Sequence, residues 1–228
     1  MTSPGGLGVR SDYGPVVDLA VTGEVQDACD LFEEVIAGVV GASVTRPGEQ
    51  MLGPRRLFAA DWVDLWRGVH RGDELVAAVH VASSVDYLDA LLPQVDAGEV
   101  SEDWLRAFYR ECVLLQELAV SRSARGLGLG RELLTCVEGA AEDCGVRFLN
   151  GFVSDQNGTA NFYKRCGYAV GLHNDPLPPG VLNGLPSIHP IGAEGHWFFK
   201  PLGDHGERGR LFRAAVEADI RALRDTRH

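Results

Sequence analysis

Val113-Leu114-Leu115-Gln116-Glu117-Leu118-Ala119-Val120 and, five residues on, Arg125-Gly126-Leu127-Gly128-Leu129-Gly130 read as a buried strand running into a glycine-rich turn. Beyond the turn, Leu129, Leu133, Leu134, Val137 and Ala141 recur at helical spacing, so the glycines stand where a strand becomes a helix. The first turn of a helix leaves backbone N–H groups unpaired and carries partial positive charge. Glycines there let a phosphate approach the backbone without a Cβ in the way. Arg125 adds a full charge and a forked donor beside them. The pattern is that of a pyrophosphate cradle.

Two common phosphate motifs do not fit. A P-loop requires Gly-Lys-Ser/Thr, whereas Gly130 is followed by Arg131-Glu132. A dinucleotide fingerprint requires a third glycine where this chain has Arg131. What remains, Arg-x-x-Gly-x-Gly after a strand, resembles the acetyl-coenzyme A loop of the GNAT superfamily of N-acetyltransferases. The block Asn157-Gly158-Thr159-Ala160-Asn161-Phe162-Tyr163-Lys164-Arg165-Cys166-Gly167-Tyr168 is similar to a second signature of that family, and the two come in the family's order. The resemblance implies one α/β domain with a central mixed, mostly antiparallel sheet, splayed beside Val120 to admit the pantetheine arm and flanked by helices. It also implies transfer of an acetyl group from acetyl-CoA to a primary amine of a small molecule, peptide or protein. A transferase using another acyl donor is one alternative, and a non-catalytic acyl-CoA-responsive binding or assembly protein is another.

The same resemblance assigns roles to residues. Backbone N–H groups of Gly126, Leu127, Gly128, Leu129, Gly130 and Arg131, with Arg125, would hold the pyrophosphate. Backbone groups of Leu118, Ala119 and Val120 would line the pantetheine arm, with an N–H near Val120 facing the thioester carbonyl. Asn157 corresponds to a cofactor-contacting asparagine. The interval from Asn157 to Tyr163 is one position short of the family's, so either the turn is tighter or Gln156 shares the role. Tyr163 matches a tyrosine that protonates the departing sulfur, and a phenol carries its proton at neutral pH. The alternative is that Tyr163 packs or hydrogen-bonds the cofactor. Glu117 lies on the opposite face of its strand from Leu118 and Val120, and a carboxylate in a mostly apolar strand is costly without a reason. It would take the amine proton through water, anchor a cationic amine, or serve as one half of a structural ion pair.

Around this centre the chain reads in order. Residues 1–14 predict a flexible N-terminus, and 15–204 the acetyltransferase domain. A first strand is expected over 16–21, then a helix with Ala28, Leu31, Phe32, Val35, Ile36 and Val39 on its apolar face and Gly41 at its end. A loop or broken helix follows over 43–60. Arg71-Gly72-Asp73-Glu74 joins two strands into a hairpin. Residues 83–110 form an insertion relative to a minimal member of the family, with one helix broken at Pro93 and a second around Trp104–Tyr109. A strand is expected over 146–153, a short helix over 160–166, a long loop over 173–194 and a last strand over 195–202. Residues 205–228 predict an amphipathic helix that packs on its own domain or serves as the arm of a homodimer.

Composition sets outer limits. At 228 residues the chain buries a full core. A net charge of −11 opposes general nucleic-acid binding. Five cysteines without a Cys-x-x-Cys pair predict reduced thiols in a cytoplasmic protein. Neither a secretory leader nor a membrane-spanning stretch is read. His173, His189 and His196 match no metal-ligand spacing, so no metal is expected. Cys166, Ser121 and Ser123 lack the companions that nucleophilic catalysis needs.

Overall fold

The computed structural model describes residues 12–36, 62–83, 85–154, 158–174 and 194–203, with side chains for all but 85–90. The loop expected over 43–60, Asn157 with Gln156, most of the 173–194 loop and the C-terminal helix lie outside the described residues.

Seven strands form one mixed sheet: β1 (Val17–Asp18), β2 (Asp64–Arg71), β3 (Glu74–Ala82), β4 (Cys112–Val120), β5 (Phe148–Ser154), β6 (Ala169–Val170) and β7 (Gly195–Pro201), in the order β1-β2-β3-β4-β5-β7-β6. β4 and β5 run parallel; β1–β2, β5–β7 and β6–β7 are antiparallel. The β4–β5 ladder pairs Cys112–Leu115 with Phe148–Gly151, while β4 itself continues to Val120. The ladder therefore stops short of the point where the sequence predicts the sheet to open. The helices are α1 (Leu19–Thr22), α2 (Val25–Ile36), α3 (Val85–Asp96), α4 (Glu102–Glu111), α5 (Leu129–Asp143) and α6 (Thr159–Arg165).

The chain divides into two compact units. The first holds described residues 12–36, 64–81 and 116–140. Its core is the apolar face of α2, with Ala28, Leu31 and Phe32, packed with Leu19, Trp66, Ala78 and Ala119. The second holds the remaining described residues, and its core joins Leu91, Leu105, Phe108 and Tyr109 to Trp197 and Phe199.

Two expectations are corrected. The first strand ends at Asp18 rather than 21, because the Asp18 carboxylate accepts from Ala20 N–H (3.1 Å) and Val21 N–H (3.3 Å) and so caps a helical turn. Gly23, at φ 81°, closes that turn by donating to Leu19 O. Leu19 is buried and Val21 is 84 % exposed, an assignment that strand alternation would not have made. Pro93 does not break its helix; α3 runs through it. Proline inside a helix costs about 3 kcal/mol. Burial of Leu91, with Leu92 and Val95 packed beside it, offsets that at roughly 1.5–3 kcal/mol for each fully buried side chain.

In the second unit one glycine sets the position of an aromatic stack. Gly151 of β5 pairs with Phe198 of β7, and a Cβ on Gly151 would overlap the Phe198 ring. With no side chain there, the ring lies over β5 and stacks on Tyr163 of α6, centroids 3.8 Å apart and planes within 11°. Asn150, fully buried, donates to Val113 O (3.0 Å) and to Cys112 Sγ (3.2 Å), tying β5 to the start of β4. Gly151→Val should therefore displace Phe198 and Tyr163 together. We expect a loss of about 1–3 kcal/mol in urea denaturation, the range for overpacking, and an altered near-ultraviolet circular dichroism spectrum. An unchanged spectrum and midpoint would show that the stack does not depend on the glycine.

Candidate functional site

At the end of β4, Ser121 N–H donates to Val76 O (2.8 Å), which holds the chain against β3 as it leaves the sheet. A single 3₁₀ turn, Arg122–Ala124, follows, with Ala124 buried as its anchor. Gly126 and Gly128 then take φ of 80° and 86°, a region that side-chain-bearing residues rarely adopt. Two left-handed residues within three positions fold the chain sharply into the start of α5, where Leu129, Leu133, Leu134 and Val137 are buried. The turn itself is solvent-facing, with Arg125, Gly126 and Gly128 exposed. Arg125 Nε donates to Val120 O at 3.1 Å, so its guanidinium is anchored to the last residue of β4.

The first turn of α5 corrects one detail. Arg131 N–H donates to Gly128 O (3.0 Å), as does Glu132 N–H (3.1 Å). The Arg131 amide is thus used inside the turn and drops out of the expected amide cradle. Arg122, exposed in the 3₁₀ turn, is a further cation beside the glycines that the motif does not mark. With Arg125 and Arg131 it makes a local group of arginines in a chain of net charge −11. A count of arginines near the glycines would have found it.

Glu117 sits three residues before Val120 and is 8 % exposed, on the same buried face of β4 as Leu115 and Ala119. Its Oε2 lies 2.9 Å from Nδ1 of His80 on β3. Nε2 of the same ring lies 2.9 Å from Oδ1 of Asp64 on β2. Asp64 Oδ1 also accepts from Trp66 Nε1 (2.7 Å), and the Trp66 indole stacks on the imidazole with centroids 3.7 Å apart and planes within 14°. Each contact needs a proton between nitrogen and oxygen, and a neutral imidazole carries only one N–H. Two short contacts to two carboxylates therefore call for an imidazolium, which leaves the trio with one net negative charge. Burial pushes the His80 pKa down, but hydrogen bonds and charge from Asp64 and Glu117 outweigh it and hold the pKa above its ordinary 6.5. The face of Trp66 adds cation–π attraction of about 0.5–2 kcal/mol. Of the sequence alternatives for Glu117, this ion pair is present in the structure.

His80, Asp64 and Trp66 were not among the expected site residues. One trace was legible: His80 is the single ionisable residue in the buried run Val76–Ala82. Nothing in the sequence pairs it with Glu117, 37 positions away.

In the second unit, Tyr163 is buried at 5 % exposure between Phe198 and the edges of Phe162 and Tyr168. Burial, with a smaller contribution from Cys166, pushes its phenol pKa well up, so Tyr163 keeps its proton through the neutral range. Burial likewise raises the Cys112 thiol to about 12, an inert group. His173 and His196 stand edge to face with ring centroids 5.8 Å apart, and His196 Nδ1 lies 3.0 Å from Gly171 O. No cluster of three metal-ligating side chains occurs among the described residues. No helix among them is long and apolar enough to cross a membrane.

Comparison with known proteins agrees with this geometry. Residues 87–170 match the family described as acetyltransferase (GNAT) domain. No curated protein sequence matches the chain. Among solved structures, the Salmonella typhimurium protein yncA with its cofactor acetyl-CoA is similar at 14 % identity and TM-score 0.52, over 86 % of this chain and 96 % of that one. A GNAT-family acetyltransferase from Staphylococcus aureus Mu50 is similar at 11 % identity and TM-score 0.51, over 84 % of this chain and 99 % of that one. The ribosomal-protein-S18-alanine N-acetyltransferase from Escherichia coli matches at 16 % identity and TM-score 0.47, over 86 % of this chain and 97 % of that one. The first two share the open mixed sheet flanked by helices.

The imidazolium has a consequence for stability. Because the folded pKa of His80 lies above the unfolded 6.5, the folded state binds the extra proton in that interval. Its stabilisation is complete below 6.5 and is lost as pH rises through the folded value, by at most about 1.4 kcal/mol per pH unit. Urea denaturation from pH 6 to 9 should show this decline in wild type. The double variant Asp64→Asn plus Glu117→Gln should flatten it, and an equal slope in both proteins would contradict the charge assignment.

Proposed function

We propose that the chain is an acyltransferase of the GNAT superfamily that moves an acetyl group from acetyl-CoA to a primary amine by direct attack. The observation that carries this reading is the left-handed pair Gly126 and Gly128 between β4 and α5, beside Arg125. Amides of Gly126–Gly130 at a helix start, with an anchored guanidinium, suit a pyrophosphate. The last residues of β4, Leu118, Ala119 and Val120, present backbone groups for the pantetheine arm, and Asn157 is the candidate for a further contact.

The chemistry falls to two side chains. The amine nitrogen attacks the thioester carbon, forming C–N and breaking C–S. Glu117 accepts the proton that the nitrogen must lose, directly or through water. Tyr163 supplies a proton to the departing sulfur, and its raised pKa means the proton is there to give. The acceptor is an amine of a small molecule, peptide or protein. The protein acts in solution in the cytoplasm, with the C-terminal segment 205–228 available as a dimer arm.

Calorimetric titration with acetyl-CoA tests the cradle. Micromolar binding is expected in wild type and none in Arg125→Ala plus Gly128→Glu, which removes the guanidinium and puts a side chain and a negative charge where φ is 86°. Turnover is then followed as thiol release with spermidine, tyramine, a lysine-containing peptide and an alanine-terminated peptide. Tyr163→Phe should bind acetyl-CoA normally while kcat falls by roughly 10²-fold or more, the lower end for loss of a general acid. Absence of binding by wild type, or full kcat in Tyr163→Phe, would overturn the respective assignment.

A further inference from the structure

We propose that His80 is a positioning residue for the transfer reaction. Held as an imidazolium by Asp64 and stacked on Trp66, it pins Oε2 of Glu117 and leaves Oε1 as the oxygen that meets the acceptor amine. The inference rests on the reading of Glu117 as the proton acceptor.

Buried polar groups are hydrogen-bonded, and apolar side chains of similar volume often serve stability as well as a buried ion pair does. Here Glu117 uses one oxygen. Oε2 accepts from His80 Nδ1 at 2.9 Å, while Oε1 takes no hydrogen bond among the described residues. Its partners are held from several sides. Both ring nitrogens of His80 are bonded, Asp64 Oδ1 accepts from two donors, and the ring is stacked at 3.7 Å. That rigidity fixes the rotation of the Glu117 carboxyl, whose side chain is 9 % exposed, whereas Asp64 at 36 % meets solvent. The arrangement therefore aims one carboxylate oxygen and neutralises part of its burial cost from behind.

Charge bookkeeping agrees with the role. The trio rests at one net negative charge and attracts a cationic amine; that amine gives one proton to solvent before it attacks, and the trio becomes neutral when Glu117 Oε1 takes the proton lost on C–N bond formation. The proton then leaves to solvent and the trio resets. Tyr163, having protonated the sulfur, regains a proton from solvent, which closes the cycle. Among the described residues, the charged groups facing the His80 ring are Asp64 from β2 and Glu117 from β4. When pH rises far enough to remove the second ring proton, one of the two contacts loses its proton and Glu117 its fixed orientation.

The test uses the full chain. In protein labelled with ¹⁵N-histidine, the His80 ring, assigned by its loss in His80→Gln, should show both nitrogens protonated at pH 7. A neutral ring at that pH overturns the proposal whatever the acceptor. Kinetics use the fastest amine of the panel above. His80→Gln should lower kcat about 10- to 100-fold, part of the roughly 10²–10⁴ that a positioned base contributes. It should also abolish the alkaline loss of kcat expected of wild type and leave acetyl-CoA affinity within twofold. Asp64→Asn, at the half-exposed end of the trio, should act in the same direction more weakly and carries the kinetic test if His80→Gln does not fold. If Glu117→Gln turns over like wild type, the reading of Glu117 fails and the inference with it. If Glu117→Gln is inactive but the His80 and Asp64 variants keep both kcat and its alkaline limb, the inference alone is wrong.

Discussion

A carboxylate on the buried face of an apolar strand has to be accompanied, and in the first unit that requirement organises the residues around it. Glu117 shares its face of β4 with the buried Leu115 and Ala119 and is itself 8 % exposed, which leaves it little solvation. Desolvating an isolated carboxylate costs several kcal/mol even after relaxation. β3 supplies His80 at the same depth, and β2 supplies Asp64 to balance the imidazolium. Trp66 covers the ring and bonds back to Asp64. Each member answers a deficit left by the one before, and the series ends at Asp64 because that side chain reaches solvent.

The second unit meets a different constraint by a related device. Tyr163 has to be held without a side chain from β5 in its way, and Gly151 leaves that space for Phe198. The ring fills the gap and becomes the surface on which the phenol stacks. Here a missing side chain places an aromatic; in the first unit a charged side chain recruits its partners. Asn150, one residue earlier, binds β5 to β4 through Val113 O, so the strand carrying the gap is itself pinned.

The glycine turn between β4 and α5 draws on neither cluster. It depends on two left-handed residues and on the burial of Leu129 and Leu133 behind them, with Arg125, Gly126 and Gly128 exposed. Its requirements are local, and for that reason it is legible in the sequence. Backbone sterics at Gly126 and Gly128, the strand pattern ahead of them and the helix pattern after them are all contained in about thirty consecutive residues. Short-range competition was harder to judge. Asp18 diverted a strand into a helical turn, and the core around Leu91 carried a helix through Pro93, because capping and burial outweighed the alternation and the proline that a linear reading weighs first.

The sequence by itself determined the strand–glycine–helix element, the order of the second signature, the hairpin at Gly72 and Asp73, and the presence of a carboxylate where an apolar strand should not have one. Tertiary structure alone decided what that carboxylate does. Glu117, His80 and Asp64 come from three strands and meet only because the sheet brings them together. Their two shared protons, and so their charge, follow from 2.9 Å contacts that no spacing rule contains. The same holds for Gly151 and Tyr163. Local conformation is written in neighbouring residues, whereas protonation and stacking depend on distances that exist only once the chain has folded.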